Sequence, residues 1–146
     1  MYIASDGAKI MKHKIFFQKA CSGNNQPVAA MYYNDQKPDK VFYQGLALLK
    51  LGNEGKACSC FNRLIDFGEK HLFDIFKMDY FAVSLPDLQI WEDDMNRKNR
   101  VHCNYLMGLG HLGLGHVEKA KTYFGIASEL DNNHQGVQIH SEMINE

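Results

Sequence analysis

The chain lacks any apolar run near the roughly 20 residues that span a bilayer, and its start, Met1-Tyr2-Ile3-Ala4-Ser5-Asp6-Gly7, lacks the basic-then-apolar order of a signal peptide. A soluble, unsecreted, cytoplasmic chain with no membrane partner is the expectation. A formal net charge of −1 over 146 residues offers no cluster of Lys and Arg to release counterions from phosphates, so no nucleic-acid partner is expected either. The four cysteines, Cys21, Cys58, Cys60 and Cys103, show no paired spacing of a disulfide framework and read as reduced, mostly buried thiols.

The motifs of catalysis are missing as well. There is no nucleophile elbow, phosphate-cradling glycine loop or dinucleotide fingerprint, because the glycines do not stand between a strand and a helix. The chain is therefore expected not to be an enzyme and to need no cofactor. Histidines are scattered: His111 and His116 flank a glycine turn, with His102 and Cys103 upstream. His102 and His111 are nine residues apart, Cys58 and Cys60 project to different helix faces, and no pair has the one-turn spacing of a helical zinc motif, so no metal is expected. His134 and His140, near the C-terminus, are expected to stay solvated.

What is present is an internal repeat. Gly45-Leu46-Ala47-Leu48-Leu49-Lys50-Leu51-Gly52, then Lys56-Ala57 and Phe61, returns 63 positions later as Gly108-Leu109-Gly110-His111-Leu112-Gly113-Leu114-Gly115, then Lys119-Ala120 and Phe124. Such self-similarity points to a repeat architecture. The apolar spacing predicts a helix over Ala8 to Ala20, a turn over Cys21 to Pro27, and a short helix over Val28 to Tyr33. A further helix is predicted over Pro38 to Leu51, capped by Asp35 and stopped by Gly52, with its partner over Glu54 to Lys70. In the second copy the first helix is predicted to start between Asp94 and Arg97 and end at Gly115, and its partner to run from Val117 to Leu130 with Ala127 inward. Each pair is an antiparallel hairpin. Glycine inside a helix costs about 1 kcal/mol relative to alanine, so Gly45 and Gly108 imply close helix crossings at Ala57 and Ala120, with Phe61 and Phe124 filling the wider space one turn later.

Glycine in the first helix, glycine at the turn, then a spaced Ala and Phe: this arrangement resembles the tetratricopeptide repeat. The resemblance covers both copies, although Asn132 stands where proline is usual and Val41 and Asn104 replace the early bulky aromatic. It implies an all-α fold of stacked hairpins in a short right-handed solenoid, a single domain over 1–146. Phe17 and Ala20 are spaced like Phe124 and Ala127, so 7–20 reads as the closing helix of a partial repeat. Repeat one then covers 38–70, an insertion 71–95, repeat two 96–131 and a C-terminal cap 132–146. More narrowly, Asp79-Tyr80-Phe81-Ala82-Val83-Ser84-Leu85-Pro86-Asp87, with Tyr32-Tyr33-Asn34-Asp35 and His134-Gln135-Gly136, resembles the C-terminal repeat region of large bacterial proteins with an upstream β-rich domain of unknown function.

The spacing of 63 exceeds the usual repeat period of about 34. The extra segment carries Leu72, Phe73, Ile75, Phe76, Met78, Tyr80, Phe81, Val83, Leu85, Leu88, Ile90 and Trp91, and is expected to pack as a buttress or lid. Glu92-Asp93-Asp94 reads as the N-terminus of the next helix. The resemblance further implies a concave face lined by first helices, here Phe42, Leu46 and Leu49 with Tyr105, Leu109 and Leu112. These are apolar and lack the donors that clamp a terminal carboxylate. An apolar face of this kind calls for cover by the insertion, by an upstream domain of the same protein, by a second copy in a homodimer, or by a protein or peptide partner. The expected function is a non-catalytic protein-protein interaction or assembly scaffold; the alternative is a structural C-terminal cap or self-association module of a larger, possibly carbohydrate-related, bacterial protein.

Overall fold

Every regular element in the computed structural model, which describes residues 3–29, 35–76 and 88–144, is a helix. In order they are α1 (Ile3–Ala20), α2 (Lys40–Lys50), α3 (Glu54–His71), α4 (Leu88–Gly113), α5 (Val117–Leu130) and α6 (Gln135–Glu142). The all-α fold and both hairpins, α2–α3 and α4–α5, match the reading of the sequence. Residues 28 and 29 are not helical, and the remainder of the expected short helix lies outside the described residues.

The hairpins are built on one plan. A methyl group on Gly45 would strike the Phe61 ring, and a methyl on Gly108 the Phe124 ring. The mid-helix glycines are thus explained by phenylalanines that lie across them, sixteen residues on in each case, and not by the alanines alone. Ala57 and Ala120 are fully buried beside these rings. Phe42 meets Phe61 at 6.0 Å between centroids, and their counterparts Tyr105 and Phe124 meet at 6.1 Å.

The turns repeat to the same degree. Gly52 (φ 76°) and Gly115 (φ 77°) hold the left-handed conformation that glycine adopts without a Cβ clash. Around the first, Asn53 N–H donates to the Leu48 carbonyl at 2.9 Å and Gly52 N–H to Leu49 at 3.0 Å; around the second, His116 donates to His111 at 2.8 Å and Gly115 to Leu112 at 3.0 Å. This pair of bonds is the Schellman closure, which satisfies carbonyls the helix end leaves free.

Between the hairpins, α3 packs on α4. A methyl on Gly113 would strike the Phe61 ring, and one on Gly110 would lie 2.6 Å from both the Phe61 carbonyl oxygen and Ile65. Asn99 on α4 donates from Nδ2 to the His71 carbonyl at 2.8 Å, closing the end of α3. Helix α1 packs on α2 in turn: Gln44, buried in α2, donates to the Ser22 carbonyl at 3.0 Å, and Phe17 lies beside Lys50 and Leu51.

Several boundaries differ from expectation. Helix α1 begins at Ile3, ahead of Ala8. Asp39, not Asp35, is the N-cap of α2, and Pro38 precedes the helix. Helix α4 starts at Leu88, ahead of the expected start between Asp94 and Arg97. No Gly or Pro interrupts the sequence from Leu88 to Met107, and Asp94, placed well inside the helix, pairs forward with Arg97 at 3.0 Å and Lys98 at 2.6 Å. One turn ahead, these partners favour helix where a cap was expected. The described start of the insertion packs only in part: Leu72 and Phe76 are half-buried, with Phe76 N–H donating to Asn96 Oδ1 at 2.9 Å, whereas Phe73 and Ile75 are 83% and 73% exposed. Met78, Tyr80, Phe81, Val83 and Leu85 lie outside the described residues, as do the side chains of Leu88, Ile90 and Trp91.

Candidate functional site

The first helices of the hairpins bring Phe42, Tyr105 and Leu109 inward, where each is almost wholly buried in the core. Leu46 and Leu112 are partly buried and Leu49 is exposed. The six residues expected to line an open concave face are therefore split: three belong to the interior, and three reach its margin. Over Phe42 and Tyr105 lies α6. Val137 joins the core cluster, and His140, 1% exposed, stands with its ring 5.4 Å from Phe42, edge to face, and 5.7 Å from Tyr105. The expectation of a solvated His140 is overturned. Val137 and His140, three residues apart, share the face that α6 lays on the hairpins.

His140 is buried because its ring is satisfied. Nδ1 lies 2.6 Å from the Gly136 carbonyl oxygen, which can only accept, so Nδ1 carries the proton. The Tyr105 hydroxyl oxygen shares that proton at 3.1 Å. Nε2 is then the bare nitrogen, and it accepts from the Tyr43 hydroxyl at 3.1 Å. One imidazole thus joins α2, α4 and α6. Burial pushes the Tyr105 and Tyr43 phenols up, and the Asp39 carboxylate adds to both, so each hydroxyl keeps its hydrogen. Both ring nitrogens being engaged, this node offers no free base to a substrate and acts as a clasp. Gly136 permits the approach: a methyl there would sit 2.5 Å from the Tyr105 hydroxyl. His134 is the N-cap of α6, its Nδ1 accepting from Val137 N–H at 3.1 Å, and it too is only partly exposed.

A polar recess lies at the other end of α4, lined by Pro38, Arg97, Lys98, Val101, His102, Asp131 and His134. Its cations are already committed: Asp94 holds Lys98 and Arg97, and those bonds, Lys98 first, keep its carboxyl below the usual range. His102 donates from Nε2 to the Val28 carbonyl at 2.8 Å. Burial lowers the affinity of His102 for a second proton, opposed by the Val28 carbonyl.

At the second turn, His111 and His116 face each other with Nδ1 atoms 3.3 Å apart, and Tyr123 stacks on His111 at 5.4 Å. Sequence spacing did not foretell this pair, since the glycine turn folds residues five apart into contact. Burial, then Lys119, then His116 lower the His111 proton affinity. Among the described residues no third ligand joins them or any other pair into a group able to hold a metal. Of the cysteines, all free, Cys60 and Cys103 are buried, Cys21 is half-buried and Cys58 is exposed. Burial pushes the Cys103 thiol up to about 12.

The remaining feature is α1. Phe17 and Ala20 are spaced like Phe124 and Ala127; aligned on that spacing, His13 falls where Ala57 and Ala120 stand and Ala20 where Leu64 and Ala127 stand. All four counterparts are completely buried, whereas His13 and Ala20 are exposed. Beside them Phe16 is 56% exposed and Ile10 68%. The face that closes a hairpin in α3 and α5 is open in α1. Among the described residues no helix is long and apolar enough to cross a membrane. No protein-family model matches the chain, and no solved structure matches it.

Proposed function

We propose that the chain is a non-catalytic scaffold of tetratricopeptide-like repeats, stacked in the manner of a short solenoid, that holds protein against protein. The carrying observation is the open closing face of α1: Ala57 and Leu64 in α3 and Ala120 and Ala127 in α5 are wholly buried, whereas His13 and Ala20 at the matching places in α1 are exposed, with the exposed Phe16 and Ile10 beside them. An apolar face of this sort marks a contact surface. The groove between first helices is the less favoured contact, because α6 and His140 already fill it. The alternative, a C-terminal structural cap of a larger, possibly carbohydrate-related, bacterial protein, draws support from that same closure by α6.

Immobilised chain and its Phe16→Glu variant, both checked for native helical content, test the reading on a cell extract. A protein retained by the parent and lost from the variant supports it. Identical retention on both of an extract protein or of added free chain, or none of either on both, overturns α1 as the working surface.

A further inference from the structure

The two ends of the molecule are complementary. On α1 the exposed Phe16 lies one turn from Lys12 and Lys19, both exposed, and residues 1–20 hold four lysines against one aspartate. At the far end, residues 122–146 contain no Lys or Arg and four acids, Glu129, Asp131, Glu142 and Glu146. There α6 turns Val137 and His140 inward and leaves Ile139 (45%) and Met143 (39%) exposed, four residues apart, with the exposed Glu142 between them. A side chain three or four residues away on a helix is a surface neighbour. Each end therefore carries an apolar stripe edged by charge, basic on α1 and acidic on α6.

Topology gives the same pairing. Helix α1 packs on the helix after it as a second helix of a hairpin does, yet among the described residues no first helix lies against its closing face. Helix α6 follows α5 in the place of a next first helix and packs on α5 and α4, and among the described residues no further helix pairs with it as a closing second helix. A groove lined by Lys121, Phe124, Gly125 and Ser128 of α5 and by Ser141 and Ile144 runs beside it.

We propose that copies of this chain associate head to tail, α1 of one copy seating on the acidic α6 end of the next. This rests on the scaffold reading and names its partner: a second copy. The contact joins two different surfaces, so each pair leaves one free end of each kind and the assembly can grow. Opposite charge across it makes it weaken with added salt.

Sedimentation of the full chain over a concentration series reads this directly. The mean mass is expected to rise above the 16.7 kDa of one copy and to fall back as salt is added. Phe16→Glu and Ile139→Lys, both at exposed positions, should each give a folded monomer. Mixed in equal amounts they should form a dimer that grows no further, since one supplies the only intact tail and the other the only intact head. A parent monomeric at every concentration overturns the proposal, as does association of Ile139→Lys alone, the result for α1 pairing with α1. Retention of a foreign protein through Phe16 by a monomeric parent would leave the scaffold reading standing while this inference falls.

Discussion

Hairpin α2–α3 and hairpin α4–α5 close alike, with a phenylalanine across a mid-helix glycine and a Schellman turn, but they face different neighbours. The first lies between α1 and α4, and its Phe61 serves two interfaces, touching Gly45 within the hairpin and Gly113 in the next. The second has α3 on one side and the eight-residue α6 on the other, and Phe124 lies across Gly108 and beside Tyr105. Hairpin one is held through the Phe61 ring at both of these crossings, and lends Tyr43 to the His140 clasp. Hairpin two ends in histidines and tyrosines, with His140 clasped between hydroxyls and His102, His111 and His134 partly enclosed. Identical local rules thus give different chemistry, decided by what each hairpin has beyond its outer face.

The sharpest way to break the comparison is to remove each ring. Phe61→Ala and Phe124→Ala should each cost about 3–5 kcal/mol, with Phe61→Ala the worse because its cavity opens both interfaces. Denaturant unfolding measures this, and an equal or smaller loss at Phe61 would mean that Gly113 does not depend on the ring. Next come the glycines. Leucine at Gly45 or Gly108 must displace a phenylalanine, an overpacking expected at the top of the about 1–3 kcal/mol range. At about 2–4 °C per kcal/mol for a chain of this size, melting followed by circular dichroism would show it. An unchanged melt for Gly108→Leu would remove the crossing from the account of this fold.

A smaller effect distinguishes the second hairpin. His140→Leu keeps an apolar side chain against Phe42 but strips the Tyr43 and Tyr105 hydroxyls of their partner, and leaving the buried Tyr105 hydroxyl unsatisfied costs about 1–3 kcal/mol. Adding Tyr43→Phe and Tyr105→Phe removes the stranded hydroxyls and should restore most of the lost stability. If the triple variant melts no higher than His140→Leu, the hydrogen bonds are not what the clasp contributes.

Legibility in the sequence followed how local the physics was. Gly52, Gly115 and the Gly-to-Phe spacing report on turns and on one crossing between adjacent helices, so both hairpins and their boundaries near Gly52 and Val117 could be read directly. The start of α4 could not, because Glu92-Asp93-Asp94 serves equally as a helix N-terminus or as one half of forward ion pairs, and Arg97 and Lys98 settle it. Apolar side chains on first helices were legible as a face, but not what lies over it: α6 has only eight residues, and its key residue is a histidine whose burial depends on hydroxyls 35 and 97 positions away. Phe73 and Ile75 misled in the other direction, since apolar character alone does not provide a neighbour. The open face of α1 could be inferred only by setting His13 and Ala20 beside their buried counterparts.

The mildest test is pH, and it too separates the hairpins. His102, His111 and His134 all lie in α4 or at the start of α6, and in each burial is the largest cause holding proton affinity below the ordinary value. Lys119 and His116 add to this at His111 against Glu69; at His102, His134 adds while the Val28 carbonyl and Asp35 oppose; at His134, Asp131 opposes and His140 adds. An unfolded chain takes up these protons near pH 6.5, before the folded chain does. The unfolded state then binds more protons, so stability is full above that pH and declines as the pH falls below it. Hydrogen exchange should show protection weakening along α4 and α5 before α2 and α3 as acid is added. In His102→Gln an amide donor remains for the Val28 carbonyl and the titrating ring is gone, so its melting temperature should fall less steeply with acid. A parent stabilised by acid, or one whose first hairpin loosens first, would show that the enclosed histidines of hairpin two do not set its acid response.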